Sequence, residues 1–158
     1  DAAHAFDVKY KDNSVLSYGD ISTLSFHATK LFHTIEGGAL IIKDDKLAQK
    51  AKVLINFGIN KVGDIVDVGA NGKMNEFQAA MGLCVLDDMD IILKNRKIVC
   101  DNYKDAFSDR VQLQEKNNEC SENYSYFPIV MDSESQLLNI LEKLNKLQIF
   151  QRTCILSS

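Results

Sequence analysis

A lysine lies between a segment with the pattern of a β-strand and a pair of glycines. Ile21–Phe26 is rich in β-branched residues and alternates in polarity, Lys30 follows it, and Gly37 and Gly38 come next. A lysine amine can form a Schiff base with an aldehyde cofactor when a rigid loop at a strand end holds it and nearby hydroxyl or amide groups bind the cofactor. Taken alone, a lysine after a strand is usually a solvated surface group. The assignment of Lys30 to such chemistry therefore depends on other segments.

Three segments, in order along the chain, resemble one enzyme family. Ser25–Lys30 reads Ser-Phe-His-Ala-Thr-Lys, and Glu36–Ala39 follows with Glu-Gly-Gly-Ala. Together they are similar to the cofactor-lysine segment of the DegT/StrS family of nucleotide-sugar aminotransferases, which use pyridoxal 5′-phosphate (PLP). Asp1–Ala5 resembles the family's aspartate segment, and Asn71–Ala80 resembles a segment in which an Asn reaches the cofactor phosphate of the neighbouring subunit.

The resemblance implies a role for each of five residues. Lys30 would hold PLP covalently and later move a proton between the substrate and the cofactor. Asp1 would stabilise the protonated ring nitrogen, which lets the ring accept electrons when the substrate loses its Cα proton. His4 would contact the phenolic oxygen of the ring. Ser25 would donate a hydrogen bond to the phosphate, and Asn71 would do so across a dimer interface.

Each of these residues also has an ordinary structural interpretation. Asp1 could be a frayed chain end whose own α-amino group competes for the carboxylate. His4 could be a core histidine, Ser25 could form a hydrogen bond within the strand end, and Asn71 could cap a helix. Two further histidines near Lys30 could line a substrate pocket, namely His27 and His33.

The resemblance also implies a reaction and its partners. An amino group, with glutamate as donor, would pass to a keto group of a nucleotide-linked deoxysugar such as dTDP-4-keto-6-deoxyglucose. A cytoplasmic homodimer would do this in surface polysaccharide or amino-sugar biosynthesis. Lys30 argues against the family's dehydratases, which have His in its place. The alternative from another class is an inactive fragment or pseudoenzyme that acts as an interaction module.

The implied fold is α/β. Residues 1–108 would be part of a fold-type-I, aspartate aminotransferase-like large domain, and residues 109–158 would be an incomplete small α+β domain. Family members have an earlier segment that binds the phosphate and stacks an aromatic residue on the ring, and they continue differently from Thr153–Ser158. We therefore expect a fragment that lacks the N-terminal part and the C-terminal end. We also expect it to bind PLP poorly by itself.

Local patterns predict the elements that position these residues. Strands are expected at 21–26, 39–42, 111–113, 124–131 and from 149, with helices from Asp44 or Asp45 to Gly58, from Asn75 to a break at 87–90, from there to Phe107, and from Ser133. Residues 59–73 are expected to form a loop. The apolar residues expected on the inner faces of the second, third and fourth helices are, in turn, Phe77, Ala80, Met81, Cys84 and Val85; Ile91, Ile92, Ile98, Val99 and Tyr103; and Leu137, Leu141 and Leu144.

The overall composition excludes several classes of function. The chain has 158 residues and a net charge of −4, and it has no cluster of basic residues, which argues against nucleic-acid binding. Its four cysteines are scattered and have no histidines at zinc spacing, so neither a disulfide framework nor a metal site is expected. No apolar run approaches the ~18 residues of a membrane span.

Overall fold

The computed structural model describes residues 1–153, in which short strands alternate with helices. Residues 154–158, which include Cys154 and most of the tail expected to differ from the family, lie outside the described part. The elements in chain order are β1 (Lys9–Tyr10), β2 (Asn13–Ser14), a short 3₁₀ helix (Val15–Ser17), β3 (Ile21–Ser25), β4 (Gly38–Ile42), α1 (Asp45–Leu54), α2 (Glu76–Asp87), α3 (Met89–Phe107), β5 (Gln112–Leu113), β6 (Ile129–Val130) and α4 (Glu134–Lys146).

Within residues 1–153, the strands pair into three antiparallel two-stranded sheets, β1 with β2, β3 with β4, and β5 with β6. The predicted strands at 21–26 and 39–42 are confirmed as β3 and β4. Their register places Ser25 opposite Gly38, so that residues 26–37 form a loop that leaves and re-enters the same pair of strands. This segment, which carries Lys30, is called the lysine loop below.

Three helices begin at the residues from which the sequence predicts them. The side chain of Asp44 accepts a hydrogen bond from the backbone of Leu47 at the start of α1. Asn75 and Gln78 form a reciprocal capping box at the start of α2, and Ser133 accepts from Gln136 at the start of α4. Such caps satisfy backbone N–H groups of the first helical turn, which have no partner inside the helix.

The predicted inner faces of α2 and α3 are largely wrong. Met81 and Val85 do face inward on α2 together with Gly82, but Phe77 is 87% exposed and Ala80 and Cys84 are also exposed. On α3 the exposed residues are Ile91, Ile98, Val99 and Tyr103, whereas Ile92 packs against the core with Leu93. Both helices carry apolar residues on more than one side, so periodicity alone does not select the buried face.

Aromatic and aliphatic side chains form a core beneath the lysine loop. Leu31 and Phe32 of the loop cluster with Val85 and Met89, which lie on α2 and at the start of α3. The Phe32 ring stacks on Phe6, with ring centroids 4.5 Å apart, and meets Phe26 edge-on at 4.7 Å. The loop is therefore anchored on both sides of Lys30, because Phe26 and Phe32 flank it.

The chain divides into two compact units. One comprises Asp1–Ile98 and Asn117–Ser125, and the other comprises Val99–Lys116 and the residues from Tyr126 onward. The first unit contains β1 to β4, α1, α2 and the beginning of α3. The predicted domain limits of 1–108 and 109–158 stay a prediction.

In the second unit, the Tyr103 ring packs near the rings of Phe107 and Phe127. The predicted inner face of α4 is confirmed, because Leu137, Leu141 and Leu144 are partly buried. The strand expected at 124–131 reduces to Ile129–Val130. The strand expected from Ile149 is wrong, because the N–H groups of Leu147, Gln148 and Ile149 bond back to carbonyls of the last turn of α4.

Candidate active site

The backbone of the lysine loop is fixed by hydrogen bonds on both sides of Lys30. Phe26 donates to the carbonyl of Gly37 at 2.8 Å, and Thr34 donates to the carbonyl of Phe26 at 2.9 Å. Lys30 itself closes a turn by donating to the carbonyl of His27 at 2.9 Å. The loop therefore has the rigidity that a lysine needs in order to present its amine in one place.

A buried threonine, Thr34, explains why residue 37 is a glycine. The hydroxyl of Thr34, which is 2% exposed, donates to the carbonyl of Glu36 at 2.7 Å. Gly37 has a φ of 155°, and a Cβ there would overlap the Thr34 hydroxyl and approach the terminal methyl of Met74 to 3.0 Å. Only glycine fits this position without moving the loop.

His27 joins the two arms of the lysine loop through its side chain. The backbone N–H of Thr29 donates to Nδ1 of His27 at 3.2 Å, so Nδ1 acts as an acceptor. The proton of the neutral ring is then on Nε2, which lies 3.5 Å from Oε1 of Glu36. His27 thus takes part in the loop's own structure, and His33 does the same by accepting from the N–H of Ile35 at 3.4 Å.

The amine of Lys30 lies against the imidazole of His4. Nζ is 3.3 Å from both Nδ1 and Nε2, so that it sits symmetrically between the two nitrogens rather than along one lone pair. Both side chains remain accessible to solvent, which leaves the amine open to a carbonyl compound. Two predicted site residues that are 26 positions apart are thus brought together.

Asp1 and Ser25 lie on the segments that hold this pair. The N–H of Ala2 donates to the carbonyl of Thr23 at 2.9 Å, which ties the start of the chain to β3. The carboxylate of Asp1 accepts from the N–H of Ala3 at 2.9 Å. Ser25 ends β3 at the base of the lysine loop, where its hydroxyl accepts from the N–H of His27 at 3.5 Å. Their roles toward a cofactor stay predictions.

Asn71 lies apart from the other candidates. Its backbone forms a β-bridge with Asn56, just beyond the end of α1, and it is exposed. The cap of α2 is Asn75, so Asn71 does not have the capping role that was its alternative. Within residues 1–153, no hydrogen bond joins the Asn71 side chain to Lys30 or His4.

One contact that shapes the site has no signal in the local sequence. Nδ2 of Asn123 donates to the carbonyls of His4 and Phe6, at 2.8 and 2.9 Å. Asn123 lies in a polar stretch with no motif, and its partners are more than 100 positions away. Only the fold reveals it.

An accessible amine beside an imidazole is suited to capturing the carbonyl carbon of an aldehyde. The carboxylate of Asp1 lies on the same segment as that imidazole, and the hydroxyl of Ser25 lies at the strand end. In the described part of the chain, no group of three or more His, Cys, Asp or Glu side chains could hold a metal ion. None of the described helices combines the length and the apolar composition needed to cross a membrane.

Residues 1–154 match the DegT/DnrJ/EryC1/StrS aminotransferase family. The chain is 40% identical over 152 residues to a dTDP-4-amino-4,6-dideoxy-D-glucose transaminase of Shigella dysenteriae. That alignment covers 92% of this chain and 41% of the relative. This chain is also 35% identical over 119 residues to the spore coat polysaccharide biosynthesis protein SpsC of Bacillus subtilis. That alignment covers 68% of this chain and 31% of SpsC.

Solved structures agree with the sequence comparison. A putative sugar aminotransferase, Spr1654 of Streptococcus pneumoniae, superposes in its PLP-form with a TM-score of 0.84 at 27% identity, covering 93% of this chain and 41% of that one. Its PMP-form gives a TM-score of 0.85. PseC of Helicobacter pylori, an aminotransferase involved in the biosynthesis of pseudoaminic acid, gives 0.85 at 28% identity, covering 93% of this chain and 42% of PseC. The chain thus spans about two fifths of the length of these relatives.

Proposed function

Because this chain belongs to the DegT/DnrJ/EryC1/StrS aminotransferase family, we propose that it contributes the cofactor-lysine part of a PLP-dependent enzyme that aminates a nucleotide-linked keto-deoxysugar. The family match confirms the resemblance drawn from the three sequence segments, and the structural neighbours confirm the predicted fold-type-I class. The observation that carries the proposal is the position of the Lys30 amine, 3.3 Å from the His4 ring and accessible to solvent.

PLP, when bound, supplies an aldehyde that captures amines and a ring that accepts electrons from the substrate's Cα–H bond. The residues of this chain would bind and orient it. Lys30 Nζ would hold the aldehyde carbon and, once displaced by substrate, would carry a proton. The Asp1 carboxylate would keep a proton on the ring nitrogen. The His4 imidazole would orient the phenolic oxygen, and the Ser25 hydroxyl would donate to the phosphate.

The relatives support the proposed substrate class. A transaminase named for a dTDP-linked 4-amino-4,6-dideoxyglucose is 40% identical to this chain in an alignment that covers 92% of this chain. We therefore propose dTDP-4-keto-6-deoxyglucose as acceptor and glutamate as amino donor. The enzyme would act in the cytoplasm as a homodimer, in which Asn71 would reach the cofactor phosphate of the partner subunit. The exposure of Asn71 is consistent with such a role.

Borohydride trapping tests the assignment of Lys30. The chain is incubated with PLP, reduced and digested, and the labelled peptide is identified by mass spectrometry. Because reduction makes the attachment irreversible, even weak binding is recorded. The label is expected on Lys30 and should disappear in Lys30→Ala, whereas Lys43→Ala, which alters an exposed lysine at the end of β4, should keep it.

Label distributed over other lysines, or unchanged labelling in Lys30→Ala, would overturn the proposal. The reaction itself is tested by incubating dTDP-4-keto-6-deoxyglucose with glutamate and following formation of the amino sugar. An enzyme that traps PLP at Lys30 but aminates other keto sugars instead would retain the cofactor assignment and lose the substrate assignment.

A further inference from the structure

We infer that Asn123 is a positioning residue that holds His4 against Lys30, an inference that rests on the proposed function of Lys30. Nδ2 of Asn123 carries two hydrogens and has two acceptors, the carbonyls of His4 at 2.8 Å and of Phe6 at 2.9 Å. One side chain thereby fixes the backbone on both sides of Ala5. The imidazole that meets the Lys30 amine extends from one of these two residues.

Asn123 can do this because it is itself held in place. Its Oδ1 accepts from the N–H of Ser125 at 3.3 Å. Nη1 of Arg96 donates to the carbonyls of Tyr124 and Ser125, at 3.2 and 3.3 Å. Tyr124 has a φ of 54°, a left-handed conformation that turns the backbone directly after Asn123. The guanidinium on α3 therefore fixes the segment from which the amide reaches His4.

The segment before Asn123 is also paired with the start of the chain. The N–H of Ser121 donates to the carbonyl of Lys9 at 2.9 Å, and the Ser121 hydroxyl accepts from the N–H of Lys9 at 2.8 Å. The N–H of Lys11 donates to the carbonyl of Glu119 at 2.8 Å. These contacts set the register of the two segments, but they lie beyond Phe6 and do not touch His4.

His4 thus lies in a short stretch with several attachments. The N–H of Ala2 is bonded to β3, the N–H of Ala5 closes a turn on the carbonyl of Ala2, and the Phe6 ring stacks on the buried Phe32. Asn123 adds the contacts to the carbonyls of His4 and Phe6. The first three attachments are made by residues other than His4. Loss of the amide would remove the side-chain hold on the His4 carbonyl, and we expect the imidazole to lose its fixed distance from Nζ of Lys30.

The test compares three substitutions. Asn123→Asp keeps the shape of the side chain but removes both donors and places a carboxylate against two carbonyls. Asn123→Gln keeps the donors on a longer stem. Ser121→Ala, the matched control, weakens the same segment at Lys9 and Asp7 and removes no contact to His4 or Phe6. Asn123→Ser replaces Asn123→Asp in the comparison if the latter does not fold.

The first readout is the nuclear Overhauser effect between the His4 ring protons and the Lys30 side chain, measured without PLP. It is expected in the wild type and in Ser121→Ala, absent in Asn123→Asp, and partly restored in Asn123→Gln. The second readout is the pH profile of absorbance of PLP bound at Lys30, which should shift in Asn123→Asp but not in Ser121→Ala.

The two readouts separate this inference from the proposed function. If Asn123→Asp retains the Overhauser effect, or Ser121→Ala loses it to the same extent, Asn123 is not a positioning residue for His4. If the effect behaves as expected but PLP is not trapped at Lys30, the inference about geometry stands and the proposed function fails.

Discussion

The lysine loop and the loop that carries Asn71 (residues 59–73, the Asn71 loop) are held by different means. The lysine loop places Phe32 and Thr34 in the core, where they are 5% and 2% exposed. The Asn71 loop leaves most of its apolar side chains exposed, with Val62 at 82% and Val68 at 90% exposure. Its attachment is through backbone hydrogen bonds near its ends, such as that from the N–H of Ala70 to the carbonyl of Leu54 at 2.8 Å.

The candidate site residues therefore differ in what surrounds them. Packed side chains lie next to Lys30, whereas the apolar side chains near Asn71 are exposed. Lys30 lies in a loop that buried side chains anchor, and His4 meets its amine, so their geometry depends on contacts within the described residues. Asn71 has a fixed backbone at the base of its loop, but the apolar residues nearby find no cover within residues 1–153. Substitutions in the two regions should therefore have different costs.

The largest difference should appear between two phenylalanines. Phe32→Ala removes a ring that stacks on Phe6 and meets Phe26 edge-on, and it should lower the free energy of unfolding by about 3–5 kcal/mol. Phe77→Ala, at a position that is 87% exposed, should change it by less than about 0.5 kcal/mol. Urea unfolding followed by circular dichroism measures both. Equal costs would show that the core does not lie beneath the lysine loop.

A pair of glycines tests the base of the Asn71 loop against its tip. Gly58 has a φ of 75°, and a Cβ there would overlap the carbonyl of Asp67, whereas Gly63 has a φ of 97° and open space around it. Gly58→Ala should cost about 3 kcal/mol, from left-handed strain and overpacking together. Gly63→Ala should cost only the strain, about 1 kcal/mol. The same unfolding measurement applies, and a Gly58→Ala variant as stable as Gly63→Ala would mean that the base is not closely packed.

Local signals made β3, β4 and the helix starts predictable. The β-branched segment at 21–26 and the caps Asp44 and Ser133 each act within a few residues, so the sequence alone reveals them. The resemblance placed Lys30 and His4 in one site, and in the structure their side chains meet at 3.3 Å. The residues around each of them in the sequence would not have predicted this contact.

Features that depend on distant partners were not predictable. The buried faces of α2 and α3 depend on what packs against helices that are apolar on several sides, and the Asn123 contacts join segments far apart in the chain. The same holds for Ile35, which has a φ of 70° although nothing in its local sequence indicates a left-handed residue. Tertiary structure imposes that conformation.

The smallest expected effect concerns this strain within the otherwise well-packed lysine loop. Ile35 is a β-branched residue in the left-handed region, a conformation that costs about 1–2 kcal/mol for such residues. Glycine would relieve that cost while losing about 0.5–1 kcal/mol through the greater freedom of the unfolded chain. Because Ile35 is 53% exposed, removal of its half-buried side chain also costs about 1 kcal/mol. Ile35→Gly should therefore change stability by no more than about 1 kcal/mol in either direction.

Ile65→Gly provides the matched control in the Asn71 loop. Ile65 is 79% exposed and does not have a positive φ, so its replacement relieves no strain and should lower stability by about 1 kcal/mol. The informative quantity is the difference between the two variants in thermal or urea unfolding. If both lose stability equally, Ile35 is not strained, and the packing of the lysine loop does not have to offset any backbone strain at that residue. If Ile35→Gly is the more stable variant, the contacts of Thr34 and Phe32 hold the loop in its shape against the preference of its own backbone.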